Sequence, residues 1–164
     1  MTLRVLDILF ETMMDGPGLR TSIYFAGCKH HCKGCHNPQS WDMNGGYSMP
    51  INHILTLIKE DEFANVTFSG GDPFYQVDAV TELAKRIKAE TDKTIWCYTG
   101  FTIEEIREDP NLSKLLQYID VLVDGPYVEA LRNTDLPFRG STNQRIIAIK
   151  KYLKGENNYE KDSI

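Results

Sequence analysis

A chain of 164 residues is long enough for one domain around one core. Its 41% apolar content is ordinary for a globular protein, and a net charge of −5 gives no electrostatic reason to expect nucleic acid or an anionic membrane as partner. No apolar run reaches the ~20 residues that cross a bilayer, and the N-terminal MTLRVLDILFETMMDG lacks a signal-peptide pattern, so a cytoplasmic protein with reduced thiols is expected.

Along the chain, strand and helix patterns alternate. An early strand is expected within Leu3 to Phe10, and the β-branched and aromatic TSIYFA, Thr21 to Ala26, reads as a second. Ile51, Ile54, Leu55 and Ile58 recur at helical spacing, and NVTFS, Asn65 to Ser69, follows as a strand. Val77, Val80, Leu83, Ala84 and Ile87 mark the next helix face, and TIWCY, Thr94 to Tyr98, the next strand. Thr102 and Glu105 have capping-box spacing, Pro110 breaks that helical segment, and Leu112, Leu115, Leu116 and Ile119 continue its apolar pattern. DVLV, Asp120 to Val123, and RIIAI, Arg145 to Ile149, are the last strands. The pattern predicts a single α/β domain over 1–154, with a mostly parallel sheet and helical crossovers, followed by a frayed polar tail, 155–164.

The unusual residues fall directly after these strands. Cys28 follows the first confident one, Gly70 to Pro73 the next, Thr99 and Gly100 the third, Asp124 and Gly125 the fourth. In parallel sheets and barrels ligands bind at the carboxyl edge of the strands, so all these positions are expected on one edge.

In GCKHHCKGCHNP, Cys28, Cys32 and Cys35 crowd three of the four cysteines into eight residues. Clustered thiols in a reducing compartment read as metal-binding or catalytic. Two sets fit the spacing: a zinc site completed by His30, His31 or His36, or an iron–sulfur cluster with one iron left open. Alone, GGDP is either a plain turn or a place where backbone approaches a ligand. Asp124 and Thr99 serve equally as turn residues or ligand contacts. Arg20 is expected to project from a strand end or to dock a partner, and RGSTNQ, Arg139 to Gln144, to form a surface loop or a contact near the open edge. Cys97, inside a strand, is expected in the core. His30 and His31 are expected to shape the loop, and His53 to lie on the surface.

DGPGLRTSIYFAGC before the cysteines, CHNPQSWD after them and SGGDP downstream together resemble the radical SAM superfamily, and within it the activating enzymes of glycyl radical enzymes. DVLVDGPYVEALRNTDLPFRGSTNQRI and the short chain resemble the branch that activates anaerobic ribonucleoside-triphosphate reductase. The likeness runs from about Asp15 to Gln144 and implies a partial (β/α) barrel. It implies a [4Fe-4S] cluster on Cys28, Cys32 and Cys35, with S-adenosylmethionine chelating the open iron and the Gly70–Pro73 turn against its methionine amino group. Many members carry an aromatic residue before the third cysteine, in contact with adenine. Gly34 stands there, and the contact falls to His36 or Tyr98. Tyr98 also stands where longer activators place a second acid, so no monovalent cation is expected.

The implied chemistry begins with an electron from a flavodoxin- or ferredoxin-type donor. Reductive cleavage of S-adenosylmethionine gives a 5′-deoxyadenosyl radical, which takes a hydrogen from a glycine of the reductase. Activators of pyruvate formate-lyase and small-molecule enzymes of the 7-carboxy-7-deazaguanine synthase type are the alternatives within the superfamily. A valine at Gly71 is expected to weaken cofactor binding while leaving the fold and iron loading intact.

Overall fold

The computed structural model describes residues 1–156 and 159–160. One eight-stranded sheet organises the chain, in the order β3-β1-β2-β4-β5-β6-β7-β8. Its centre is parallel: β2 (Arg20–Phe25), β4 (Asn65–Gly70), β5 (Ile95–Tyr98) and β6 (Val121–Asp124) run side by side. Both margins are antiparallel. β1 (Thr2–Thr12) and β3 (Tyr47–Pro50) extend one side, and β7 (Arg145–Ala148) and β8 (Tyr159–Glu160) the other.

The sheet is mixed and open; it does not close into a barrel. The expected strand at Arg145 exists, but it runs antiparallel to β6 because the intervening residues include no helix longer than one turn to carry a crossover. β3 was absent from the sequence pattern: YSMP has neither a clean alternation nor a buried residue, and only pairing with β1 makes it a strand. Within the stretch expected to be a tail, Tyr159 and Glu160 pair with β7; residues 157, 158 and 161–164 lie outside the described residues.

The helices form where the apolar spacing put them. α1 (Ile51–Glu60) and α2 (Val77–Glu90) are the crossovers between β3, β4 and β5. α3 (Ile103–Glu108) opens on the Thr102–Glu105 capping box, with both reciprocal bonds formed. It stops at Asp109, whose carboxylate caps the one-turn α4 (Pro110–Ser113). Alternate strand residues such as Ile23, Phe68, Cys97 and Leu122 pack with Ile54, Leu83 and Ile106 of these helices in one fully buried core. The opposite face carries a smaller cluster of Trp96, Val123 and Ile146, with Tyr98 and Phe138 against it. α5 (Ile149–Leu153) adds Ile149 and Tyr152 to the main core. Among the described residues no helix is long and apolar enough to cross a membrane.

Candidate active site

The four parallel strands deliver Phe25, Gly70, Tyr98 and Asp124 to one edge. After β2 the chain turns at Gly27, whose φ of +101° favours glycine. There Gly27 N–H donates to Ser40 O at 2.8 Å and Cys28 N–H to Trp41 O at 3.3 Å, closing the base of the cysteine loop. The GGDP turn grips the same base: Gly71 N–H donates to Phe25 O and Asp72 N–H to Gly27 O, each at 2.8 Å.

A Cβ on Gly71 would stand 2.5 Å from Gly27 O and 2.8 Å from Ser40 O, and one on Gly70 would stand 2.3 Å from Phe25 N. These glycines therefore let the turn and the root of the cysteine loop touch backbone to backbone. A valine at Gly71 would therefore push on Gly27, the residue just before Cys28.

Asp72 is fully buried behind this contact. Its carboxylate accepts from Thr99 Oγ1 at 2.8 Å, Gly100 N–H at 2.9 Å and Phe74 N–H at 3.0 Å, and lies 2.7 Å from His30 Nε2. Pro73 opens the tight turn Pro73–Gln76 that leads into α2. The Gln76 carboxamide then ties Arg4 and Ala26 together, donating to both carbonyls at 2.9 Å.

A cavity of ≈ 200 Å³ opens on this edge, lined by Cys28, His30, Cys32 and Cys35, by Ser69 to Gly71, by Tyr98 to Gly100, and by Gly125, Tyr127 and Gln144. A wider surface hollow, ≈ 540 Å³ beside Met1, Ile51 and Arg86, contains no cysteine or histidine and offers no comparable chemistry. All four cysteines are free thiols. Burial pushes Cys28 up to about 11, opposed by hydrogen bonds from the His30 and His31 backbone. Asn37 N–H points at Cys35 Sγ, 3.4 Å away.

Among the described residues no three His, Cys, Asp or Glu side chains converge tightly enough to share one ion. The three clustered thiols line one cavity, and cysteine sulfurs are the ligands an iron–sulfur cluster takes. The histidines are engaged elsewhere. His30 packs edge-on against Phe101, ring centroids 4.6 Å apart, and His31 stacks on Trp41 at 4.4 Å.

The remaining expected residues divide. Gly70, Gly71, Tyr98 and Thr99 line the cavity, whereas Asp72 and Pro73 support it from behind. His36 is exposed and rests on Tyr127 at 5.3 Å. Asp124 is fully buried and outside the lining; it accepts from Arg145 at 2.6 Å and from Ile103 N–H at 2.8 Å, bracing β7 and the start of α3. Cys97 is in the core, where burial pushes its thiol well up.

Arg20 neither projects nor docks. It is 2% exposed, donates to Thr67 Oγ1 at 2.8 Å, Pro17 O at 2.9 Å and Val66 O at 3.1 Å, and lies over the Trp96 ring. Burial pulls its guanidinium down to about 10. Gly125 lines the cavity on the expected edge, whereas Tyr127 was missed; the connection between β6 and β7 has no periodicity to read, and DGPYVE carries only turn signals.

Residues 14–147 match the model of the 4Fe-4S single cluster domain. The chain is 38% identical over 142 residues to the anaerobic ribonucleoside-triphosphate reductase-activating protein of Vibrio cholerae serotype O1, covering 82% of this chain and 90% of that protein. Proteins of the same name from Escherichia coli (strain K12), 34% identical over 146 residues, and Enterobacteria phage T4, 33% identical over 139, cover 80% and 81% of this chain, and 90% and 86% of their own lengths. With a 4Fe-4S single cluster domain over residues 14–147 and this identity along most of its length, the chain belongs to the family of anaerobic ribonucleoside-triphosphate reductase-activating proteins.

Proposed function

We propose that the chain is a radical SAM activase. In this reading Cys28, Cys32 and Cys35 hold a [4Fe-4S] cluster, S-adenosylmethionine binds the iron they leave open, and the product is a glycyl radical on an anaerobic ribonucleoside-triphosphate reductase. The observation that carries the reading is the shared cavity of the three cysteines and the GGDP glycines at the carboxyl edge of the parallel strands. The open sheet is then an arc of a partial (β/α) barrel.

When bound, the cluster and S-adenosylmethionine supply a one-electron cleavage that ends in hydrogen abstraction from the partner's glycine. The chain's own residues place and enclose them. The cysteines present sulfur, with backbone N–H groups of the loop turned toward Cys28 and Cys35. Ser69 to Gly71 and Tyr98 to Thr99 form the wall on the strand side. Asp72 locks that wall to the cysteine loop through His30, and Asp124 holds β6, β7 and α3 in register through Arg145. A reducing compartment such as the cytoplasm keeps the four thiols free. A flavodoxin- or ferredoxin-type protein is the electron donor.

The test is an anaerobic mixture of the reconstituted protein, a cognate reductase, a reductant and S-adenosylmethionine, read by EPR. A doublet is expected on the reductase, absent when its radical-site glycine becomes alanine and absent without S-adenosylmethionine. A doublet on pyruvate formate-lyase alone would overturn the partner. Cleavage of S-adenosylmethionine with no protein radical would turn the reading toward a small-molecule substrate.

A further inference from the structure

The segment following β6 lies across the cysteine loop. Tyr127 meets the His36 ring at 5.3 Å, and Glu129 fills the space at Gly34, where a Cβ would stand 2.9 Å from the Glu129 carboxyl carbon. The loop Arg139 to Gln144 holds this segment from the other side. Asn143 donates to Pro126 O at 2.8 Å, Gln144 to Gly125 O at 3.1 Å, and Ser141 Oγ accepts Val128 N–H at 3.2 Å. These bonds fix the backbone on both sides of Tyr127. Gly140 also makes room for the ring, since a Cβ there would lie 3.0 Å from Tyr127 Cδ2.

We infer that Tyr127 is the platform on which the purine base of the nucleoside ligand stacks. The inference rests on the reading that the cavity binds S-adenosylmethionine. At ≈ 200 Å³ the cavity falls below the ~300–1,000 Å³ usual for a small-molecule site. It can therefore enclose only the end of the ligand next to the cysteines, and the base must rest on the rim. Of the rings in the lining, His30 is held by Asp72 and packed on Phe101, and Tyr98 packs with the Trp96 cluster on the sheet. Tyr127 is half-buried and comes from the connection after β6, away from the sheet floor. It lines the same cavity as Cys32 and Cys35, and an aromatic face there suits a flat, uncharged base.

The test uses the full chain, reconstituted anaerobically, with Tyr127→Phe, Tyr127→Leu and Tyr127→Ala beside the parent. Iron and sulfide content and the visible spectrum report the cluster; equilibrium dialysis reports S-adenosylmethionine affinity. Competition is measured separately with 5′-deoxyadenosine and with methionine. All variants are expected to load iron like the parent. Phe should bind within about twofold, and Leu and Ala about 5- to 150-fold more weakly, the range that base stacking on an aromatic contributes. The loss should appear against 5′-deoxyadenosine and not against methionine.

Leu binding as tightly as Tyr would overturn the stacking role, because Leu fills the volume without a π face. Equal losses for methionine, or loss of iron in Leu and Ala, would make Tyr127 a structural part of the cysteine loop and overturn it likewise. A parent protein that loads its cluster but binds no S-adenosylmethionine would remove the reading beneath the inference, an outcome separate from any difference among the variants.

Discussion

Asp72 and His30 lie 42 positions apart, yet His30 Nε2 stands 2.7 Å from the fully buried Asp72 carboxylate. That contact, with Asp72 N–H on Gly27 O, makes the GGDP turn and the cysteine loop a single unit. Removing the carboxylate would orphan Thr99, Gly100 and His30 at once. Asp72→Ala should cost about 3 kcal/mol or more of stability in the cluster-free protein, the scale of breaking a buried charged hydrogen-bond network. It should also lower iron uptake on reconstitution. Urea denaturation and iron analysis check both; an unchanged denaturation midpoint would show that the network contributes nothing.

Gly71→Ala should reduce iron loading together with S-adenosylmethionine binding. Its methyl group would lie 2.5 Å from Gly27 O, a backbone atom that can move only by shifting the residue before Cys28. Iron per chain, measured beside the binding constant, separates this outcome from a pure ligand effect, in which iron would stay at the parent level.

Each of Cys28→Ser, Cys32→Ser and Cys35→Ser should abolish a stable, S-adenosylmethionine-responsive cluster. Cys97→Ala should keep it, because Cys97 is fully buried in the helix-side core. Its cost should be confined to stability, about 1–3 kcal/mol. Anaerobic reconstitution followed by iron, sulfide and EPR measurement distinguishes the two classes.

Arg145 bonds both Glu104 and Asp124, with Glu104 at 2.6 Å and half-exposed. The Arg145 hydrogen bond holds the Glu104 carboxyl below its usual range. A depressed folded value means the stabilisation is present above the unfolded value of ~4.3 and is lost as pH falls through the folded value. Solvent screening limits the pair to about 1 kcal/mol or less. Glu104→Gln should lower stability slightly at pH 7 and reduce its fall between about pH 5 and 3. Parallel thermal melts at several pH values measure this; identical slopes for parent and variant would assign the acid sensitivity elsewhere.

The sequence by itself determined the helices and the central strands, because those depend on neighbours. Ile51 to Ile58 and Val77 to Ile87 carry their periodicity within a few turns, and Thr102 with Glu105 carries its own cap. It also determined that Cys28, Gly70, Thr99 and Asp124 would follow strands of one parallel array, since strand order and direction follow from the crossover lengths. Only the tertiary structure decided what those residues do there. Asp72 and Asp124 look equally available in sequence, but burial turned one toward His30 and Thr99 and the other toward Arg145. The antiparallel margins, β3 and the placing of Tyr127 over the cysteine loop are likewise long-range outcomes. No local pattern encodes them, because a hydrogen bond or a ring contact between distant segments is specified by the packing that brings them together and not by the residues on either side.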